Sequence, residues 1–294
     1  MEGEYIRNQY SGYRRIIMDK SILITGISGF LGNEIFKQIS SVENKIVGLS
    51  RKATGIPEEK ARIYRNVEEL IINEDHFDII FHLAAFIPYG NYNTPNPEFY
   101  STNVELTARL SNAYPKSRFV YASSVSVYGQ PIENPLTIHS PFNNPDLYGM
   151  SKLGGELVVR NHPDFSIIRY TSIIGRGMKP VSLIPKMIES AFTKKEITLY
   201  GKGERKQNYI DVRDAAKLAI NLSEKSKNII CLGVGNNSHS NNEIAKFIGD
   251  KTGAKINYQG DDNSPSFFFN SSKEYYEIGF TPSFGIFDTI QEML

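Results

Sequence analysis

One cysteine, Cys231, in 294 residues leaves no partner for a disulfide and no thiolate cluster for a metal. No apolar run approaches the roughly 18 residues that span a bilayer. Residues 1–15 are also too polar to hold the apolar centre of a secretory leader. Charge of one sign is missing as well: 33 Lys and Arg stand against 32 Asp and Glu. No global field therefore draws in a nucleic acid or an anionic membrane, and a cytoplasmic protein with neither partner is expected. Internal repeats, low-complexity tracts and long linkers are absent too. Against these absences stands a 40% share of hydrophobic residues, ample for a packed interior and too high for a disordered chain.

Those hydrophobic residues are arranged in a repeating order. Met18-Asp19-Lys20 leads directly into the first β-branched run, Ser21-Ile22-Leu23-Ile24-Thr25, so residues 1–17 read as an N-terminal extension. Short apolar runs at 22–25, 45–49, 78–83, 118–122 and 166–170 alternate with helix-length segments at 31–40, 104–113 and 148–161. Only a short charged segment fills the gap between residues 50 and 78. Strands alternating with helices predict an α/β fold, a doubly wound (Rossmann) parallel sheet over residues 18–175. Beyond Gly175 the texture changes. Residues 178–199 read as one helix, with Pro185 near its start, and then a strand; 201–204 is a polar turn. Strand, helix and strand follow at 209–212, 214–223 and 229–233, and the tail from Ser240 is helical first and irregular after. A smaller α/β C-terminal substrate lobe over 176–294 is expected, with 205–233 returning to the dinucleotide domain. It would lie over the strand ends, where open α/β sheets bind ligands.

Two clusters carry the chemistry. Gly26-Ile27-Ser28-Gly29-Phe30-Leu31-Gly32 follows a strand and opens a helix. In that setting Gly26 permits a tight turn, Gly29 lets backbone approach a pyrophosphate, and Gly32 lets helix and strand pack closely. Ser28, Phe30 and Leu31 join them as expected cofactor contacts at the helix N-terminus. At the end of the second strand stand Ser50 and Arg51, not the carboxylate that usually reads an NAD ribose. A small hydroxyl beside a guanidinium suits a 2′-phosphate, which favours NADP, with NAD as the alternative. In the second cluster, Tyr148 and Lys152 are i, i+4 neighbours on one helix face. An ammonium beside a phenol favours the phenolate, which can exchange a proton with an alcohol or carbonyl during hydride transfer. Ser124 ends a strand in the hydroxyl cluster 123–126 and could bond the same oxygen.

With these pieces in order, the chain resembles the extended short-chain dehydrogenase/reductases, in their nucleotide-sugar epimerase/dehydratase/reductase branch, over residues 20–294. Phe81-His82-Leu83-Ala84-Ala85, Thr102-Asn103-Val104, Ile168-Arg169-Tyr170 and the run Asn208-Tyr209-Ile210-Asp211-Val212 carry the likeness further. The resemblance implies Tyr148 as acid–base, Lys152 holding the nicotinamide ribose and lowering the tyrosine pKa, and Ser124 orienting the substrate oxygen. Ser123 and Ser126 remain alternatives for that contact. It places Leu83, Ala84, Ala85 and Asn103 along the cofactor. Arg205 and Ser172 fall to the nucleotide-sugar side, although the family commonly has Asn at position 172 and a late arginine where this chain reads Asp261-Asp262-Asn263. A homodimer through helices 104–113 and 148–161 is implied as well.

The family's reactions differ by a few side chains. Its 4,6-dehydratases carry an Asp-Glu pair where Val125 and Ser126 stand, and its C3/C5 epimerase-reductases carry a cysteine where Ser126 stands. Neither activity is expected. A 4-ketoreductase acting on a nucleoside-diphosphate 4-keto-6-deoxyhexose with NADPH is the favoured reading from Ser50 and Arg51. The alternatives are a 4-epimerase that retains NAD and a non-catalytic NADP-binding regulator.

Overall fold

A computed structural model describes residues 19–40, 43–52, 55–88, 90 and 92–294; the extension expected at 1–17 lies outside them. Strands β1 (Ser21–Thr25), β2 (Lys45–Leu49), β3 (Arg62–Tyr64), β4 (Ile79–His82), β5 (Arg118–Ser124), β6 (Phe165–Tyr170) and β10 (Ile229–Gly233) form one sheet. Its order is β10-β6-β5-β4-β1-β2-β3 and every pairing is parallel. The central strands β1, β4 and β6 are buried almost throughout, because helices cover both faces. Helix α1 (Phe30–Ile39) places Ile35, Phe36 and Ile39 on one side of the sheet. Each such fully buried side chain contributes roughly 1.5–3 kcal/mol.

The order reverses between β1 and β4, and the cleft opens at their C-terminal ends, as it does in doubly wound sheets. The glycine loop leaves β1 there and Leu83–Ala85 leave β4. Two small elements stand where only a charged segment was expected: β3 and helix α2 (Val67–Asn73), capped by the Asn66 side chain accepting from Glu69 N at 2.8 Å. Next come a helical turn, Glu98–Tyr100, a π-turn, Ser101–Glu105, and helix α3 (Leu106–Ala113). Helix α4 (Leu147–Val159) begins at Asp146, whose side chain accepts from Gly149 N at 2.7 Å.

The C-terminal lobe has its own core. Helix α5 (Leu183–Thr193) starts five residues later than the pattern implied, after Ser182, and packs with β8 (Glu196–Tyr200). Strand β9 (Lys206–Asp211) belongs not to the large sheet but to a small one, between β7 (Ser172–Ile174) and β11 (Ser238–Ser240). Helix α6 (Val212–Ser223) and β10 then return to the large sheet, and α6 packs on α1. Helix α7 (Asn241–Thr252) opens with a capping box between Ser240 and Glu243. The tail read as irregular after that helix holds strand β12 (Lys255–Gln259), parallel to β8, and helices α8 (Ser272–Ile278) and α9 (Ile286–Met293). No helix among the described residues is long and apolar enough to cross a membrane.

Candidate active site

A cleft of about 1740 Å³ runs from the glycine loop, past the ends of β4 and β5, to the C-terminal lobe. Pockets holding one drug-sized ligand measure roughly 300–1,000 Å³. This one therefore has room for a dinucleotide and a second ligand together.

At the dinucleotide end the backbone explains the sequence. Gly26 takes φ +69°, a conformation open to glycine. A Cβ on Gly32 would lie 2.3 Å from Gly26 O, so the first turn of α1 closes directly onto the loop. The helix start has Gly29 at its cap, no side-chain cap bond and no acid in its first turn. Its N–H groups and positive dipole end thus face the cleft without a competing anion, which fits a pyrophosphate. Ser28, Phe30, Leu31, Leu83, Ala84 and Ala85 line the same stretch, as expected.

The 2′-phosphate reading of Ser50 and Arg51 meets a different arrangement. The Ser50 hydroxyl is buried, 2.7 Å from Ser28 Oγ, and accepts from Lys52 N at 3.2 Å. The Arg51 guanidinium pairs with Glu98 at 3.1 Å. That pair is exposed and made through one nitrogen, so it competes only weakly for the guanidinium.

At the catalytic end, β5 and the start of α4 converge. Ser124 stands beside the Tyr148 phenol, accepts from Ser126 N at 3.1 Å and donates to Ser126 Oγ at 3.1 Å. Burial pushes the Tyr148 phenol up, with Tyr92 and Asp146 adding to the rise and Ser124 opposing it. Lys152 is buried 4.2 Å above the Tyr121 ring, a cation–π contact. Burial brings its ammonium down to about 7, and Glu156 one turn along pulls it back up. The expected lowering of Tyr148 by Lys152 is not seen: desolvation dominates both groups, and Lys152 is not among the groups acting on the phenol. Helix and strand approach so closely that a Cβ on Gly155 would lie 2.1 Å from Tyr121 Oη.

Two expected contacts have their polar side chains engaged within the protein. Ser123 lines the cleft, but its hydroxyl donates to Glu156 Oε1 at 2.6 Å, inside a buried cluster with Arg169. Adjacent strand side chains point to opposite faces, so the one beside Ser124 turns inward. Asn103 is fully buried and outside the cleft lining. Its amide accepts from Phe86 N at 2.7 Å and donates to Phe86 O at 3.0 Å and Ser151 Oγ at 2.8 Å. It shapes the wall beside the cofactor loop and does not present itself to a ligand.

Ser126, Ser172 and Arg205 line the cleft. Sequence reading missed Tyr92, whose ring meets Tyr148 edge-on at 5.8 Å, and the cations Arg176, Lys179 and Lys186. Together with Arg205 these give the lining beyond residue 175 four cations and no acid. Their spacing in the chain carries no periodic signal; Arg176 and Lys179 come from the turn before α5, Lys186 from α5 itself and Arg205 from the residue before β9, and only the fold brings them together.

Comparison with known proteins agrees with this geometry. The model of the NAD dependent epimerase/dehydratase family matches residues 22–233. A UDP-glucose 4-epimerase of Streptomyces lividans is 27% identical over 276 residues, covering 81% of this chain and 83% of that protein. A putative UDP-glucose 4-epimerase of Methanocaldococcus jannaschii is 25% identical over 250 residues, 77% of this chain and 81% of its own. Among solved structures, MoeE5 in complex with UDP-glucose and NAD superposes with a TM-score of 0.80 at 21% identity, covering 93% of this chain and 97% of that one. The UDP-N-acetylglucosamine 4-epimerase of Methanobrevibacter ruminantium gives 0.81 at 21% identity, covering 94% and 97%. At that identity the structural likeness shows a shared fold.

Proposed function

Since the chain belongs to the NAD dependent epimerase/dehydratase family, we propose that it is a nucleotide-sugar 4-epimerase that keeps NAD bound through its cycle. The observation that carries this reading is the family match, with the relatives named above as 4-epimerases matching over most of the chain. The Ser50 hydroxyl, already engaged by Ser28 and Lys52, adds to the case against a 2′-phosphate.

Bound in the cleft, a nicotinamide dinucleotide supplies a hydride acceptor and donor. The chain's own residues do the rest. The first turn of α1 holds the pyrophosphate through backbone N–H groups. Lys152, one turn from Tyr148 on α4, would bond a ribose hydroxyl of the cofactor. Tyr148 takes the proton from the sugar hydroxyl as the alcohol is oxidised, and returns it when the ketone is reduced on its other face. Ser124, beside that phenol, positions the same oxygen. Arg176, Lys179, Lys186 and Arg205 meet the diphosphate of the sugar nucleotide by charge, in place of the late arginine this chain lacks.

The test is direct. Purified protein carrying NAD should interconvert UDP-glucose and UDP-galactose, or another 4-epimeric pair of nucleotide sugars, without added cofactor. Stoichiometric consumption of NADPH against a 4-keto-6-deoxy sugar nucleotide would instead establish the 4-ketoreductase. That second reading keeps one observation in its favour: no acid stands at position 50 to accept from a ribose hydroxyl. Arg51→Ala separates the two. On the NAD reading, its NADH dissociation constant stays within about threefold of wild type, since an exposed ion pair is worth roughly 0–1 kcal/mol. A loss confined to NADPH, read by fluorescence titration, would reinstate NADP.

A further inference from the structure

His82 is a buried ionisable group for which the chemistry above has no use. It ends β4, with Thr25 of β1 and Tyr121 of β5 as its register neighbours across the sheet. Its ring is fully buried, packed against Phe119 and Tyr121 at 5.6 and 5.7 Å. Both ring nitrogens are nevertheless satisfied: Nδ1 lies 2.8 Å from Thr25 Oγ1, and Nε2 lies 2.8 Å from Thr107 Oγ1.

Donor counting fixes the direction of these bonds. Thr25 Oγ1 accepts from Leu83 N at 3.1 Å and from Ala84 N at 3.0 Å. With its acceptor capacity used, its own proton goes to His82 Nδ1. The imidazole is therefore the Nε2–H tautomer and donates to Thr107. Thr107 in turn donates to the Asn103 carbonyl at 3.0 Å, within the π-turn. The Asn103 amide donates to Ser151 Oγ, and Ser151 donates to the Tyr148 carbonyl at 2.7 Å. One chain of hydrogen bonds thus runs from the residue before Gly26 to the backbone of Tyr148.

We propose that His82 is a positioning residue: held between Thr25 and Thr107, it sets the dinucleotide loops 26–32 and 83–85 in register with the helix that carries Tyr148 and Lys152. Burial, with Lys152 repelling a second cation, holds the ring neutral by bringing its pKa down to about 3. A protonated ring could not accept from Thr25, so neutrality keeps the chain intact. Shape alone does not require histidine here, because a phenyl ring would fill the same space between Phe119 and Tyr121. The hydrogen bonds do require it.

The inference rests on the dinucleotide site, and the test separates the two. NADH is titrated by fluorescence into wild type, His82→Phe, Thr107→Val and His82→Gln, each confirmed folded by circular dichroism at the assay temperature. His82→Phe and Thr107→Val should bind NADH about tenfold more weakly, the scale of one or two lost hydrogen bonds. His82→Gln, which offers one acceptor and one donor, should recover part of that loss. If His82→Phe does not fold, Thr107→Val carries the same comparison, since it only exchanges a hydroxyl for a methyl. Variants that melt earlier yet bind NADH like wild type would reduce His82 to a packing residue and overturn the proposal. A wild-type chain that binds neither NADH nor NADPH would overturn the dinucleotide reading, and this inference with it.

Discussion

Tyr148→Phe is expected to keep NADH binding within a few-fold of wild type while cutting nucleotide-sugar turnover by about 10³-fold or more, near the upper range for a lost general acid–base. The ring stays in place because its packing against Tyr92 and the buried wall is shape-dependent and the phenyl has the same shape. What disappears is the group that moves the proton. Ser124 loses the phenol beside it, but the hydroxyl keeps Ser126 N and Ser126 Oγ, so no buried donor is stranded. Turnover and cofactor affinity should therefore separate cleanly. Retention of more than about a tenth of wild-type turnover would falsify the role given to Tyr148.

Glu156→Gln should cost about 3–5 kcal/mol of unfolding free energy, measured by urea titration. Glu156 is completely buried and accepts two bonds from Arg169, from Nε at 2.9 Å and NH2 at 2.8 Å. Arg169 is itself buried and also donates to Tyr128 Oη at 2.8 Å and the Ile138 carbonyl at 3.1 Å. Removing the carboxylate's charge leaves a guanidinium in the interior without its counter-ion. Arg160, on the solvent side at 3.6 Å from the same carboxylate, can turn to water and adds little. Replacing both partners, Glu156→Met with Arg169→Leu, should recover much of the loss, because the pair's desolvation cost vanishes with its attraction. A single substitution costing under about 1 kcal/mol would show that water reaches Arg169 when the carboxylate goes.

Local signals were read well because they are local. The glycine loop, Tyr148 with Lys152, and the six longer strands of the large sheet each announce themselves within a dozen residues. Strand β3 is three residues long, too short for any alternation to register. Strand β12 is exposed along most of its length, so no buried face marks it, and its partner β8 lies some sixty residues earlier in the chain. The choice between Ser123 and Ser124 was in principle legible, since the side chains of strand neighbours point to opposite faces. Which of the two hydroxyls is taken up inside depends on Glu156, which approaches from another element. Arg51 shows the same limit. A guanidinium at the end of β2 suits a phosphate, and nothing local tells that a helical turn nearly fifty residues later brings Glu98 beside it. Tyr92 sits in a stretch with no periodicity, and only the fold brings it against Tyr148.

The contact between Gly155 and the Tyr121 phenol also bears on how this sequence can drift. With Tyr121 in place, any side chain at 155 would force α4 off the strand and carry Lys152 with it. A smaller residue at 121 removes only part of the constraint, because the Asn103 carbonyl would still lie 2.8 Å from that Cβ, and Lys152 loses the ring beneath its ammonium. Position 155 is therefore tied to the backbone at 103 as well as to 121. In diverging copies of this gene, glycine at 155 should persist even where 121 has changed.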